Sequence, residues 1–121
     1  MLLKIKDLNF NYPDKEIFQS FDLKAPPGKI LHLNGPSGAG KTTLLHLIAG
    51  IQSPQSGAIT LGEEVFYDNK QKLLIEDRKV GLVFQDYALF PHLNVINNIS
   101  FGNKNITEEK INKTLHQLDI H

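Results

Sequence analysis

A glycine-rich segment at residues 35–42 constrains this chain more than any other feature of its sequence. It has the pattern G-x-x-x-x-G-K-[ST], whose glycines let the backbone curl so that successive N–H groups face one phosphate group. The lysine places a positive charge beside the β- and γ-phosphates, and the final hydroxyl is a magnesium ligand. The residues of this phosphate loop are Gly35, Pro36, Ser37, Gly38, Ala39, Gly40, Lys41 and Thr42.

The residues on either side of the phosphate loop support the same interpretation. Residues 30–33 form a short apolar run, which predicts a strand buried on both faces in a parallel sheet. Residues 41–49 are dense in Leu and Ile, which predicts a buried helix with Gly50 as its C-terminal cap. The start of that helix adds unpaired N–H groups and a positive dipole end, and Thr43 is next in line on the α-phosphate side. A chance glycine-rich turn, the alternative, does not require these flanks.

The nucleotide is predicted to be ATP, bound with magnesium. GTP-binding proteins that share this phosphate-loop motif usually carry an Asn-Lys-x-Asp motif that recognises the guanine base. The Asn-Lys pairs of this chain begin at residues 69, 103 and 112, and none has Asp two positions after its lysine.

Alternating apolar residues predict two antiparallel hairpins. Residues 3–12 are expected to form a first strand that bends or bulges near Asp7, and residues 17–25 to pair with it. Residues 58–61 and 65–67 predict a second hairpin.

The second half of the chain predicts one strand and two helices. Residues 80–84 have the pattern of another buried parallel strand, and residues 91–101 indicate a short helix. Thr107 is the predicted N-cap of a last helix, which begins with two glutamates and continues to His121 without a cap or stop signal. The predicted apolar face of that helix consists of Ile111, Leu115 and Leu118.

Composition excludes several classes of function. Lys+Arg and Asp+Glu are 13 each, so the balance of charge predicts no long-range attraction to nucleic acid or anionic lipid. The chain has no cysteine, which excludes a disulfide framework, a thiolate zinc site and cysteine catalysis. The histidines show no metal-ligand spacing with carboxylates and are interpreted as packing or surface residues: His32, His46, His92, His116 and His121.

Neither a signal peptide nor a membrane helix is predicted. The N-terminus alternates polar and apolar residues, unlike a signal sequence. The longest apolar-rich run, residues 44–51, is interrupted by His46 and Gly50 and is far shorter than the roughly 20 residues of a membrane helix. We therefore expect a soluble chain without direct membrane insertion.

A second motif lies at residues 80–93, with the sequence V-G-L-V-F-Q-D-Y-A-L-F-P-H-L. Together with the phosphate loop before it, this run resembles the Q-loop region of ABC-transporter ATP-binding subunits. The resemblance covers essentially the whole chain, from an opening strand with an aromatic at Tyr12 to the segment 97–99 after the Q-loop. It implies an α/β fold, a P-loop NTPase core with an antiparallel β subdomain. It also implies ATP binding and, in the complete subunit, ATP hydrolysis that drives transport.

The resemblance assigns roles to two further residues. The aromatic that matches Tyr12 stacks on adenine in this family, and a core tyrosine is the alternative. The glutamine that matches Gln85 contacts magnesium near the attacking water, which makes Gln85 the candidate catalytic residue and, with Thr42, a candidate metal ligand. A polar residue at a strand end is the alternative for Gln85.

The resemblance also implies partners. In the family, the segment matching residues 87–101 helps form the groove that receives a coupling helix of a transmembrane permease subunit, although ordinary core packing is the alternative. A second ATP-binding subunit is the other expected partner. The form D-Y-A-L-F-P-H at residues 86–92 is similar to importers of molybdate, sulfate, ferric iron, polyamines and sugars. The expected location is peripheral, on the cytoplasmic face of the cell membrane.

Several family motifs do not occur in the sequence. It has no L-S-G-G-Q signature, no apolar strand ending in Asp-Glu and no later switch histidine. Residues 1–121 are therefore interpreted as the N-terminal part of an ABC-type ATP-binding domain. Without the carboxylate pair hydrolysis is expected to be very slow, and the predicted strands at 30–33 and 80–84 lack their neighbours. We expect these residues alone to be neither a stable domain nor an ATPase.

Two other functions remain open at this point. One is a standalone nucleotide-binding module that regulates by occupancy and never hydrolyses ATP. The other is a different P-loop enzyme, such as a small-molecule kinase, against which the Q-loop resemblance weighs. Nucleotide turnover distinguishes the first from an ATPase.

Overall fold

The computed structural model describes residues 1–103 and 105–120. The chain divides into two compact units, Met1–Leu82 and Val83–His121. His121, interpreted above as a packing or surface residue, and Lys104, of one Asn-Lys pair, lie outside the described residues.

Both predicted hairpins are confirmed, and they belong to one antiparallel sheet of four strands in the order β2-β1-β3-β4. Because β1 pairs with both β2 and β3, it is an inner strand whose backbone bonds to a neighbour on each side. The elements of the first unit are β1 Leu3–Tyr12, β2 Lys15–Ala25, α1 Lys41–Ala49, β3 Ser56–Leu61, β4 Glu64–Tyr67 and a 3₁₀ turn at Ile75–Asp77.

The predicted irregularity near Asp7 is confirmed. Asp7 has a φ of +49°, and the pairing of β1 with β2 shifts register between Ile5 and Leu8. In a regular strand two residues of opposite parity point to opposite faces. The bulge removes that conflict, since Ile5 and Leu8 are 1% and 0% exposed.

The core of the first unit forms where α1 packs against the sheet. Burial of each large apolar side chain contributes about 1.5–3 kcal/mol relative to leaving it in water. Because this cluster fixes α1 against the sheet, it also fixes the loop that leads into α1. The cluster draws on all four strands and the helix: Ile5, Leu8, Phe10, Phe18, Leu44, Leu47, Ile59 and Phe66.

The prediction of two buried parallel strands is wrong for the described structure. Neither residues 30–33 nor residues 80–84 form a strand. Ile30 is 100% exposed and Val83 is 85% exposed. A strand requires a neighbour for its N–H and C=O groups, and the sheet within the described residues consists of the four antiparallel strands alone. Of the expected α/β fold, this part of the chain forms the antiparallel subdomain and the helix after the phosphate loop.

The described part of the second unit contains two helices, α2 Val95–Ser100 and α3 Glu108–Gln117. The helix predicted at 91–101 begins later than expected because Asn94 caps it, with its side chain accepting a hydrogen bond from the Asn97 N–H at 2.8 Å. The Asn98 amide donates to the carbonyl oxygens of Leu93 and Asn94, each at 3.0 Å, which binds the turn before the helix to its first residues.

The last helix begins as predicted but ends differently. The Thr107 hydroxyl accepts a hydrogen bond from the Lys110 N–H at 3.2 Å, so the predicted N-cap is confirmed. The helix does not continue to the end of the chain, because Asp119 takes a left-handed φ of +58° and the Ile120 N–H returns to the Leu115 carbonyl at 2.9 Å. This is a C-terminal capping arrangement that usually uses Gly or Asn. Of the predicted apolar face, Ile111 is buried, Leu115 is half-buried and Leu118 is exposed.

Candidate nucleotide-binding site

The phosphate loop connects residues 30–33, which form no strand, to α1. A hydrogen bond of 3.1 Å from the Ala39 N–H to the Pro36 carbonyl folds the loop into a tight turn. Gly38 and Gly40 have positive φ values of +81° and +99°. A Cβ on Gly40 would lie 2.6 Å from Cγ2 of Ile17 on β2, so a larger residue would force the loop away from the sheet.

The start of α1 supplies the electrostatic part of the site. The bond from the Leu44 N–H to the Gly40 carbonyl, at 2.8 Å, is the first of the helix. The earlier N–H groups have no carbonyl within the helix to bond to. The first turn carries no acidic residue, so no side chain of that turn neutralises the positive end of the helix dipole. These features favour a bound anion at this position.

Lys41 lies against the loop that precedes it. Its ammonium donates to the carbonyl oxygens of Gly35 and Pro36, the latter at 2.9 Å. An ammonium has three donors, so these two bonds leave a third. Thr42 follows as an exposed residue on the first turn of α1. Ser37, in the turn of the loop, is exposed as well.

Tyr12 lies beside the first turn of α1. Its hydroxyl oxygen is 3.1 Å from Oγ1 of Thr43, and Nε2 of Gln52 donates to the same hydroxyl at 3.0 Å. The ring packs edge-on against Phe10, with centroids 5.0 Å apart, and Tyr12 is 36% exposed rather than buried in the core. The hydrogen bond with Thr43, followed by that with Gln52, lowers the pKa of Tyr12 against an opposing effect of burial.

A buried arginine that the sequence analysis did not single out holds the other end of α1. Arg78 is 5% exposed, and its guanidinium donates to the carbonyl oxygens of Leu47 and Ile48 at 3.0 Å each. Further bonds join it to Leu73 at 3.0 Å and Phe66 at 3.1 Å. Desolvation lowers the pKa of Arg78. The positive charge lies at the negative end of the α1 dipole, which stabilises the helix that carries Lys41 at its start.

Gln85 belongs to the second unit and is exposed. It lies in a turn closed by a hydrogen bond of 3.0 Å from the Tyr87 N–H to the Phe84 carbonyl. Tyr87, the last residue of that turn, and Ala88 after it have positive φ values of +63° and +47°. Such a conformation costs a non-glycine residue about 1–3 kcal/mol and is concentrated at functional sites.

The segment at residues 87–101 exposes apolar side chains. Tyr87 is 74% exposed and Leu89 is 68% exposed, so these two side chains do not form a core within the described residues. Phe90 and Phe101 pack together with ring centroids 4.3 Å apart. A groove of about 550 Å³ in the second unit is lined by Leu89, Phe90, Pro91, Leu93, Asn94, Val95, Asn98 and Ile99.

The donor groups near the loop suit magnesium only in combination with phosphate. No cluster of three His, Asp or Glu side chains that would hold a metal ion occurs among residues 1–103 and 105–120. Magnesium usually keeps several waters and binds one or two protein ligands plus substrate phosphates, and the exposed Thr42 hydroxyl fits that requirement.

No helix in the described part of the chain is long and apolar enough to span a membrane. The family model described as ABC transporter matches residues 18–121, which include the phosphate loop and Gln85. The chain belongs to the ABC transporter family. The family relationship predicted from the two motifs is therefore confirmed, and with it a P-loop NTPase that binds ATP and takes part in transport. ABC ATP-binding domains generally bind ATP with magnesium, hydrolyse it, dimerise and associate with transmembrane permease components.

Three residues that contact the loop, Tyr12 or α1 were not identified from the sequence. Gln52 follows the C-terminal cap of α1, Lys15 lies in the first hairpin, and Arg78 lies in a polar stretch before the Q-loop. Each acts through contacts with residues more than twenty positions away. No local sequence pattern indicates such contacts, and they are recognised only once the tertiary structure shows which element each residue reaches.

Proposed function

We propose that this chain supplies the phosphate-loop and Q-loop part of the ATP-binding domain of an ABC importer. In this proposal residues 35–42 bind the polyphosphate of ATP and Tyr12 stacks on its adenine. Hydrolysis, carried out in the complete subunit, then drives the import of a solute through a transmembrane permease. The importer assignment rests on the form of the Q-loop segment at residues 86–92.

The observation that carries the proposal is the contact of 3.1 Å between the hydroxyl of Tyr12 and Oγ1 of Thr43. It joins a half-exposed aromatic ring to the first turn of the helix that follows the phosphate loop. An adenine ring on one side and a phosphate chain on the other require this combination of a π-face and a cradle of N–H groups. Thr43 itself stands at the α-phosphate end of the loop, between the two.

Lys41 is the principal charge of the site in this proposal. Its ammonium contacts two carbonyl oxygens of the loop, Gly35 and Pro36. A phosphate oxygen is a stronger acceptor than a neutral carbonyl, because the bond is charge-assisted on both sides. We therefore expect Lys41 to bind the β- and γ-phosphates while remaining against the loop.

Thr42 of the first unit is a proposed magnesium ligand, and the resemblance of the Q-loop segment makes Gln85 of the second unit another. Bound magnesium neutralises charge that develops on the phosphates. Thr42 offers an exposed hydroxyl on the first turn of α1. Gln85 is proposed from its place in the Q-loop segment, where it lies exposed on a turn.

The exposed apolar segment at residues 87–101 is the proposed docking surface for a permease subunit. Its groove is lined largely by apolar side chains, the surface that an amphipathic coupling helix requires. A peripheral position on the cytoplasmic face of the cell membrane follows from that docking. A second ATP-binding subunit is the other proposed partner.

Calorimetry of ATP·Mg²⁺ binding tests the proposal. The unmodified chain is expected to bind ATP, Lys41→Ala to lose detectable binding, and Lys24→Ala, an exposed lysine on β2, to bind normally. Equal affinity in the chain and in Lys41→Ala, or no binding in any of the three proteins, would contradict the assignment of the loop.

A further inference from the structure

Lys15 makes a contact with the phosphate loop that the phosphate-loop motif does not require. Its ammonium, at the start of β2, donates to the carbonyl oxygen of Gly38 at 2.7 Å. Lys15 is exposed, and its register partner on β1 is Tyr12. The end of the first hairpin therefore contacts the loop and its helix at two points, through Tyr12 at Thr43 and through Lys15 at Gly38.

Under the proposed function these two points would lie toward opposite ends of a bound nucleotide. Thr43 follows the loop on the proposed α-phosphate side, and Gly38 precedes Lys41, the residue proposed to bind the terminal phosphates. A single hairpin end thus presents an aromatic ring at one end of the site and a positive charge at the other. Because Tyr12 and Lys15 are paired in register, their spacing is set by the sheet.

The hydrogen bond from Lys15 to the Gly38 carbonyl is a weak interaction for a charged side chain. A long, flexible and hydrated side chain loses rotamer entropy when it is held by one neutral carbonyl. A polyphosphate bound at the loop would be a stronger acceptor, because both partners are then charged. An ammonium already held on the loop loses less freedom when it binds an anion there.

We propose that Lys15 is a second nucleotide-binding lysine, which binds the terminal phosphates of a nucleoside triphosphate from the side of the hairpin. The inference rests on the proposed function of the phosphate loop. It makes Lys15 a residue that distinguishes a triphosphate from a monophosphate, since only the longer chain reaches Gly38.

The test compares Lys15→Ala, Lys15→Arg and Lys15→Glu with the matched control Lys24→Ala, which removes the same charge from the same strand. Binding of ATP and of AMP is measured by calorimetry. Lys15→Ala is expected to weaken ATP about tenfold and Lys15→Glu more, while Lys15→Arg stays within about threefold because it keeps the charge. AMP binding is expected to change less than about twofold, and the loss for ATP to shrink at high salt.

Three results would overturn the inference. ATP affinity of Lys15→Ala equal to that of Lys24→Ala would show that the lysine does not contact phosphate. Equal losses for ATP and AMP, or for Lys15→Ala and Lys15→Arg, would show that Lys15 acts only by shaping the loop. Lys41→Ala is measured in the same series. If Lys41→Ala loses ATP binding but the Lys15 variants keep the affinity of the unmodified chain, this inference alone is refuted. A chain that binds no ATP refutes the proposed function and the inference with it.

Discussion

Arg78 gives a direct test of how the helix behind the phosphate loop is held in place. Its guanidinium bonds to the last carbonyls of α1, at Leu47 and Ile48, and to Phe66 on β4 and Leu73 beyond it. The charged group also lies 5.2 Å from the ring centroid of Phe66, a cation–π contact. One buried side chain therefore joins the helix, the edge strand and the segment after that strand.

We expect Arg78→Ala to lower the free energy of unfolding by about 3–5 kcal/mol. A hydrogen bond from a charged donor contributes about 1.5–3 kcal/mol, but bonds that share one side chain are not additive, so the sum of four is an upper bound. A buried carbonyl that loses its only donor costs about 1–3 kcal/mol, and removal of Arg78 takes a donor from four carbonyls. Arg78→Lys is expected to lose about half as much, because one ammonium does not span carbonyls on three segments.

Urea unfolding followed by circular dichroism measures both losses. The titration is run in an osmolyte such as TMAO, which favours the folded state, because these residues alone are not expected to form a stable domain. Lys79→Ala is the matched control, since Lys79 is adjacent and exposed, and it is expected to change stability by less than about 0.5 kcal/mol. An Arg78→Ala variant within about 1 kcal/mol of that control would refute the argument, because the orphaned carbonyls would then cost nothing measurable.

Three further predictions concern the nucleotide site. Tyr12→Ala is expected to weaken ATP binding by about 1–3 kcal/mol while Tyr12→Trp is tolerated, and equal affinity of all three proteins by calorimetry would argue against stacking. Hydrogen bonds lower the pKa of Tyr12 in the folded state, so ionisation of Tyr12 adds to the free energy of unfolding. This added stability is complete above the ordinary tyrosine pKa of 10.0 and is lost as pH falls through the pKa of the folded state. Thr43→Val is expected to raise that pKa in a spectrophotometric titration of tyrosine, and an unmoved titration would contradict the assigned cause. Residues 1–121 are expected to release no phosphate from ATP above a Lys41→Ala control, and clear turnover would show that the missing carboxylates are not needed.

Local sequence patterns determined much of this fold and the main part of the candidate site. The glycine and lysine positions of residues 35–42, the bounds of α1 and its cap at Gly50 follow from interactions within a few residues of each other. The same holds for both hairpins, the bulge at Asp7 and the cap at Thr107. The hairpins and the bulge depend on alternation along one strand, and the cap depends on backbone conformation at a helix end. Neighbouring residues decide both.

Tertiary structure decided the elements whose stability depends on distant partners. Residues 30–33 and 80–84 have strand-like composition, but a strand forms only when another strand accepts and donates its backbone hydrogen bonds. The end of α3 was missed for a local reason, because Asp119 takes a left-handed conformation that usually marks Gly or Asn.

The second set of contacts at the nucleotide site was also decided by tertiary structure. Lys15 reaches Gly38, Gln52 reaches Tyr12, and Arg78 reaches the end of α1, each between segments far apart along the chain. The sequence alone carries no periodic signal for such contacts, because a polar side chain on a turn looks the same whether it faces solvent or a phosphate loop. The packing of the first hairpin and β4 around α1 brings these side chains to their partners.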